Sequence, residues 1–108
     1  MQIQEEQQGE RLQLRLQGNL DIYTVAELRG RLLSYLSSVH ILDLDLHEVA
    51  EIDGAGIQFL MAVKSSASRQ GCQLSLSAHS PAVITALEVC RLTSFFGDPI
   101  YLHKESAR

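Results

Sequence analysis

The chain has 108 residues, 45% of them hydrophobic and 20% charged, enough for one hydrophobic core and unlike a disordered tail. Its net charge is −4 and its Lys and Arg form no cluster. That excludes the basic face of nucleic-acid binders and the polybasic patch that docks on anionic lipid. No apolar run approaches the roughly 20 residues that span a bilayer. The start, Met1-Gln2-Ile3-Gln4-Glu5-Glu6, is polar and acidic, unlike a signal peptide, so no direct membrane insertion and a cytoplasmic location are expected.

Ile3 opens a weak edge strand, and Gln7-Gln8-Gly9-Glu10 reads as a hairpin turn. Leu12, Leu14 and Leu16 then alternate with Arg11, Gln13, Arg15 and Gln17, a half-buried strand that Gly18-Asn19-Leu20-Asp21 is expected to break. Thr24-Val25-Ala26-Glu27 has the form of a capping box, with Thr24 as the cap of a helix. Val25, Leu28, Leu32, Tyr35 and Leu36 recur at helical spacing, with Glu27, Arg29, Arg31 and Ser34 outside. Ile41, Leu42, Leu44 and Leu46 then read as a central strand, and the interleaved Asp43 and Asp45 as its solvated face.

After a short polar turn and Asp53-Gly54, the residues Gly56, Leu60, Val63 and Ala67 line one helical stripe. That helix ends near Arg69-Gln70-Gly71, with Gly71 as the capping glycine. Ile57 and Phe59 border the stripe, Gln58, Ser65 and Arg69 lie opposite, and Met61 and Ala62 fall outside it among the polar residues. Cys72, Leu74, Leu76 and Ala78 alternate as another strand. Ser80-Pro81 is an N-cap followed by proline at the first helical position; Val83, Ile84, Leu87 and Cys90 carry that helix inward. Leu92, Phe95 and Phe96 close the core, Gly97-Asp98-Pro99 turns the chain, and Ile100-Tyr101-Leu102 is a last strand or extended tail.

The order β-β-α-β-α-β-α predicts an α/β fold in a single domain, residues 1–108. Crossover connections imply a mixed, mostly parallel sheet of four to five strands, packed with three or more helices.

Little in this pattern nominates chemistry. His40, His47, His79 and His103 share no helical face at ligand spacing, so no metal is expected, and no phosphate loop or nucleophile motif nominates a cofactor or a catalytic residue. Cys72 and Cys90 read as two buried, reduced thiols. The informative segment is Ile52-Asp53-Gly54-Ala55-Gly56-Ile57-Gln58-Phe59-Leu60, a strand–helix junction whose bare amides could favour an anion. Asp53 satisfies those donors as an N-cap and repels a second anion, so a tight capped turn is the expectation.

Leu42-Asp43-Leu44, Val49, Ile52 and Asp53-Gly54-Ala55-Gly56-Ile57 together resemble the signature of the STAS domain, named for sulfate transporters and anti-sigma factor antagonists. Gly18-Asn19-Leu20-Asp21 resembles the family's turn before its first helix, and Ser80-Pro81-Ala82-Val83 with Leu87, Leu92 and Phe96 resembles its close. The resemblance runs from about Leu12 to Phe96. It implies a STAS fold and a non-catalytic protein–protein interaction module of bacterial signal transduction. In switching members the residue after the aspartate is a serine or threonine that a partner kinase phosphorylates, releasing the complex. Gly54 occupies that phospho-acceptor position here and Ala55 follows, so neither offers a hydroxyl.

Asp21 and Asp53 match the family's acidic residues beside that site. Ala55-Gly56-Ile57-Gln58-Phe59-Leu60 with Phe95-Phe96-Gly97-Asp98-Pro99 is similar to small free-standing STAS proteins encoded among bacterial chemotaxis genes. The expected partner is therefore a protein, an anti-sigma factor kinase or a chemotaxis component; oligomeric state is left open. An accessory subunit of a membrane transport ATPase is the alternative. From residue placement, the patch Asp21, Asp53, Gly54, Gln58, Met61 and Ala62 is the expected partner-binding surface.

Overall fold

Leucine alternation sets the architecture. In the computed structural model, which describes residues 1–92, β1 (Gln2–Gln8) and β2 (Arg11–Leu20) form an antiparallel hairpin. Then come α1 (Ile22–Leu36), β3 (Ile41–Ile52), α2 (Gly54–Arg69), β4 (Gln73–Ser77) and α3 (Pro81–Val89). The sheet order is β1-β2-β3-β4, with β2–β3 and β3–β4 parallel, so β3 is internal as its apolar content predicts. The expected core contributions of Phe95 and Phe96, the turn at Gly97-Asp98-Pro99, the strand at Ile100-Tyr101-Leu102 and the position of His103 lie outside the described residues.

Parallel register places Leu12 beside Leu42 and Leu42 beside Leu74, and in the next row Leu14 beside Leu44 and Leu76. All six share one sheet face. Against it lie Leu28, Leu32 and Leu36 of α1, Phe59, Leu60, Val63 and Ala67 of α2, and Val83 and Leu87 of α3, in one cluster. Burying each such leucine is worth about 1.5–3 kcal/mol. The expected stripes of all three helices hold, except at the end of α3, where Cys90 is exposed and only Cys72 is buried. Cys90 is the C-cap residue, past the last turn that faces the sheet. Burial raises the Cys72 thiol pKa, so this thiol stays protonated.

The opposite sheet face corrects an expectation. Asp43 and Asp45 are only 6% and 5% exposed, not solvated. β3 is flanked on both sides, and its neighbours' side chains close over the carboxylates. Gln13 Nε2 donates to Asp43 at 3.2 Å from β2, and the hydroxyls of Ser75 and Ser77 donate at 3.0 and 3.1 Å from β4. Asp45 accepts from Arg15 Nε at 3.3 Å, from the His47 N–H at 3.1 Å and from His47 Nδ1 at 2.7 Å. Buried carboxylates persist where such donors replace water.

Two boundaries also move. Gly18-Asn19-Leu20 does not end β2: register shifts between Arg15 and Gln17 and between Gly18 and Asn19 let the strand continue beside Glu48–Ile52, where the sequence suggested a polar turn. Strand bulges absorb such a slip without ending the pairing. The cap of α1 is Asp21 rather than Thr24, one turn earlier, and Glu27 takes no part. At the far end of α2 the expected glycine holds: Gly71 has φ +73°, Cys72 N–H donates to the Ala67 carbonyl at 2.9 Å, and Gly71 N–H to that of Ser68 at 3.4 Å.

Candidate protein-binding site

The candidate site begins where two adjacent strands end together. Leu20 and Ile52 are register partners, and the next residue in each strand, Asp21 or Asp53, caps a helix. Asp21 Oδ1 accepts from Tyr23 N–H at 3.0 Å and Thr24 N–H at 3.1 Å, while Thr24 Oγ1 accepts from Asp21 N–H at 2.9 Å. Asp53 Oδ1 accepts from Gly56 N–H at 2.9 Å, the expected cap. Both helix starts thus carry their own carboxylate, which accepts from two free amides at α1 and one at α2 and repels an incoming anion.

Gly56 holds the junction tight. A Cβ there would stand 2.3 Å from the Leu20 carbonyl oxygen and 2.8 Å from Ile52 Cγ1, so only glycine lets α2 start this close to β2. At Gly54 a Cβ would meet nothing within 4 Å. Gly54 is therefore at an open surface.

The predicted patch is only partly a surface. Asp53, Gly54, Gln58 and Ala62 are exposed and Asp21 is half-buried. Met61 is half-buried and packs against the core cluster, so it departs from the expectation of an outward side chain. Two grooves run beside the patch. Ala55, Gln58 and Ala62 face a groove of about 760 Å³ between α1 and α2. Asp53 and Gly54 border another, of about 600 Å³, between α2 and α3, which Ile57 and Val89 also line.

Ile22 and Tyr23 were missed by the sequence reading. They are 61% and 83% exposed in the first turn of α1, next to Asp21. Placing the helix start at Thr24 left both in a turn; the pair Asp21 and Thr24, three residues apart, was the available signal.

Among the described residues, no group of three or more His, Cys, Asp or Glu side chains could hold a metal ion. His47 lies against the carboxylates of Asp45 and Glu48, and His40 against that of Glu10. No described helix is long and apolar enough to cross a membrane.

Fold and junction together define a mixed-sheet α/β domain with two capped helix starts at one end of the sheet. The chain belongs to the STAS family: the family described as "Mlab, STAS domain" matches residues 3–98. Its fold is similar to that of the anti-sigma factor antagonist SpoIIAA in its unphosphorylated form, with TM-score 0.74 and 19% identity over 90% of this chain and 87% of that one. An anti-sigma factor antagonist from Mycobacterium paratuberculosis gives TM-score 0.79 and 18% identity, over 90% and 83% of the two chains. A sulfate transporter family protein from Wolinella succinogenes gives TM-score 0.69 and 22% identity, over 79% and 70%.

Proposed function

We propose that this protein is a non-catalytic interaction module of bacterial signal transduction, which binds a partner protein at the start of α2 and carries no phosphate switch there. Gly54 is the observation that carries the reading. It is exposed, directly follows the Asp53 cap, and stands at the phospho-acceptor position of the STAS signature without a hydroxyl. From Asp53 to Phe59 no residue carries a hydroxyl that a serine/threonine-type kinase could phosphorylate. A phosphorylated side chain there would bring close to two negative charges onto the binding surface; without one, the complex is not released in that way. The partner is an anti-sigma factor kinase-like or a chemotaxis protein, met in the cytoplasm.

The test is capture from the native host, with wild type and with Gln58→Lys/Ala62→Glu, both exposed positions on α2. The variant should keep its melting temperature and lose the partner; retained capture places the interface elsewhere. In parallel, a GHKL-type kinase with ATP should leave the Asp53-to-Phe59 peptide unlabelled. Gly54→Ser has the open space to accept a hydroxyl and should gain labelling if that kinase docks. The second reading, an accessory subunit of a transport ATPase, draws support from the fold similarity to the Wolinella sulfate transporter family protein. Recovery of an ATPase or permease in the same capture decides for it.

A further inference from the structure

We infer that the groove between α1 and α2 takes one amphipathic helix of a partner protein, whose carboxylates meet Arg29 and Arg69. This rests on the protein-binding reading above and names the chemistry of the partner. Because Leu20 and Ile52 end adjacent parallel strands, α1 and α2 return along the sheet in the same sense, with their flanks forming the walls of the groove. Its floor is apolar, with Val25, Phe59 and Val63. Its lip carries Ile22 at one end and Leu33, 37% exposed, further along α1. Ile22, Ala26 and Leu33 stand at spacings of four and seven, which is one helical face, and that face is turned to solvent. An apolar face of this kind, rimmed by charge, marks a contact surface.

Charge then selects the occupant. Two charged side chains line the groove, Arg29 and Arg69, and no carboxylate among the described residues joins them. Both are exposed. Arg69 donates only to Ser66 Oγ, at 3.1 Å, while Arg29 makes neither a hydrogen bond nor an ion pair with a described residue. In a chain of net charge −4, an apolar groove lined by two uncompensated guanidinium groups fits an acidic ligand. Carboxylates supply the paired acceptors that guanidinium prefers. A symmetric dimer through this groove would instead set arginine against arginine. Nucleic acid needs more than two phosphate contacts to bind an acidic domain. The 16 residues of α2 extend about 24 Å, so the occupant is a helix of about four turns.

The probe is a displayed library of 18-residue helical peptides, apolar at i, i+3, i+4 and i+7, with randomised flanks, selected on the full wild-type chain. Recovered peptides should carry Asp or Glu, and a fluorescein-labelled copy should bind about tenfold more weakly to Arg29→Glu/Arg69→Glu. Replacing the peptide's carboxylates by lysine should restore its affinity for that variant to within about threefold. Arg29→Gln/Arg69→Gln repeats the loss without introducing new negative charge, should the reversed pair fail to fold. Peptides lacking carboxylates, or binding indifferent to both arginine pairs, overturn the inference. So does a concentration-dependent dimer that Ala62→Glu dissociates, since the groove is then a self-interface. Native partner retained in full by Arg29→Glu/Arg69→Glu also overturns it, and leaves the protein-binding reading standing. Failure of wild type to capture any native protein sinks that reading instead, and the peptide measurement still decides the groove.

Discussion

Asp21 and Asp53 hold equivalent places on neighbouring strands. Each follows one residue after a register partner, Leu20 or Ile52, and the N–H of Asp53 donates to the Leu20 carbonyl at 3.2 Å. One side-chain chemistry therefore starts two helices at one end of the sheet, and the acidic character of that end is a by-product of capping. Asp21→Ala and Asp53→Ala should each lower stability by about 1 kcal/mol, and the asparagine variants by much less. Urea midpoints at unchanged m-value measure this. A midpoint that does not move would leave the aspartate as a recognition residue alone.

Two glycines of the same junction should respond in opposite ways. Gly56→Ala drives a methyl into the Leu20 carbonyl and the Ile52 side chain, contacts that neither backbone nor packed core can relieve cheaply. It should cost about 3 kcal/mol, the upper part of the usual overpacking range. Gly54→Ser enters open space at the first position of α2 and should be neutral or stabilising by a few tenths of about 1 kcal/mol. Equal effects from the two changes would mean that α2 does not press on β2 as described.

Asp45 predicts an acid limb. Burial pushes its carboxyl pKa up, but hydrogen bonds from the His47 side chain and backbone and from Arg15 outweigh this, and the net shift is downward. A carboxylate depressed in the folded state adds stability above its unfolded pKa, and loses that contribution as pH falls through the lower folded value. Unfolding free energy should accordingly decline below about pH 4, near the unfolded aspartate value. In Asp45→Asn that decline should be shallower by up to one proton's worth. Parallel acid limbs for the two proteins would remove Asp45 from the pH dependence.

Element order, a partly parallel sheet with β3 inside it and the core stripe of α2 were legible, because period two and period 3.6 report burial directly. Gly56, Leu60, Val63 and Ala67 are all buried, as the spacing required. Burial of the sheet's second face was not legible. Asp43 and Asp45 alternate as solvated residues do, and only the flanking Gln13, Arg15, Ser75 and Ser77, distant in sequence, reveal that they are enclosed. Local signals also compete at helix starts. Thr24 with Glu27 forms one capping box on paper, yet Asp21 with Thr24 forms the one in the fold, and the difference hid Ile22 and Tyr23 from the candidate surface.

The end of α3 carries a strained residue. Arg91 has φ +57°, with its N–H donating to the Glu88 carbonyl at 3.1 Å and that of Leu92 to the Leu87 carbonyl at 2.8 Å. This is the helix-ending geometry that Gly71 adopts freely after α2, here imposed on a side chain that pays about 1 kcal/mol for it. Arg91→Gly should raise stability by about 0.5–1 kcal/mol, the span expected for relief of such a conformation. Arg91→Ala should gain nothing, because alanine keeps the Cβ. A gain from alanine as large as from glycine would assign the effect to loss of charge.

Met61 decides which residues of α2 can serve as interface probes. It follows the fully buried Leu60 and precedes the exposed Ala62, and its half-buried side chain packs on the core cluster rather than standing free. Met61→Glu would place a carboxylate against that apolar surface and should cost about 2 kcal/mol, through desolvation and lost packing together. Gln58→Lys and Ala62→Glu alter exposed positions and should each stay within about 0.5 kcal/mol of wild type. Denaturant unfolding of the three single variants separates them before any partner is tested. Loss of binding by Met61→Glu would then report a weakened fold, whereas loss by Gln58→Lys or Ala62→Glu at unchanged stability reports the surface. If Met61→Glu proves as stable as wild type, the methionine is outward after all and rejoins Asp53, Gly54, Gln58 and Ala62 as a contact residue.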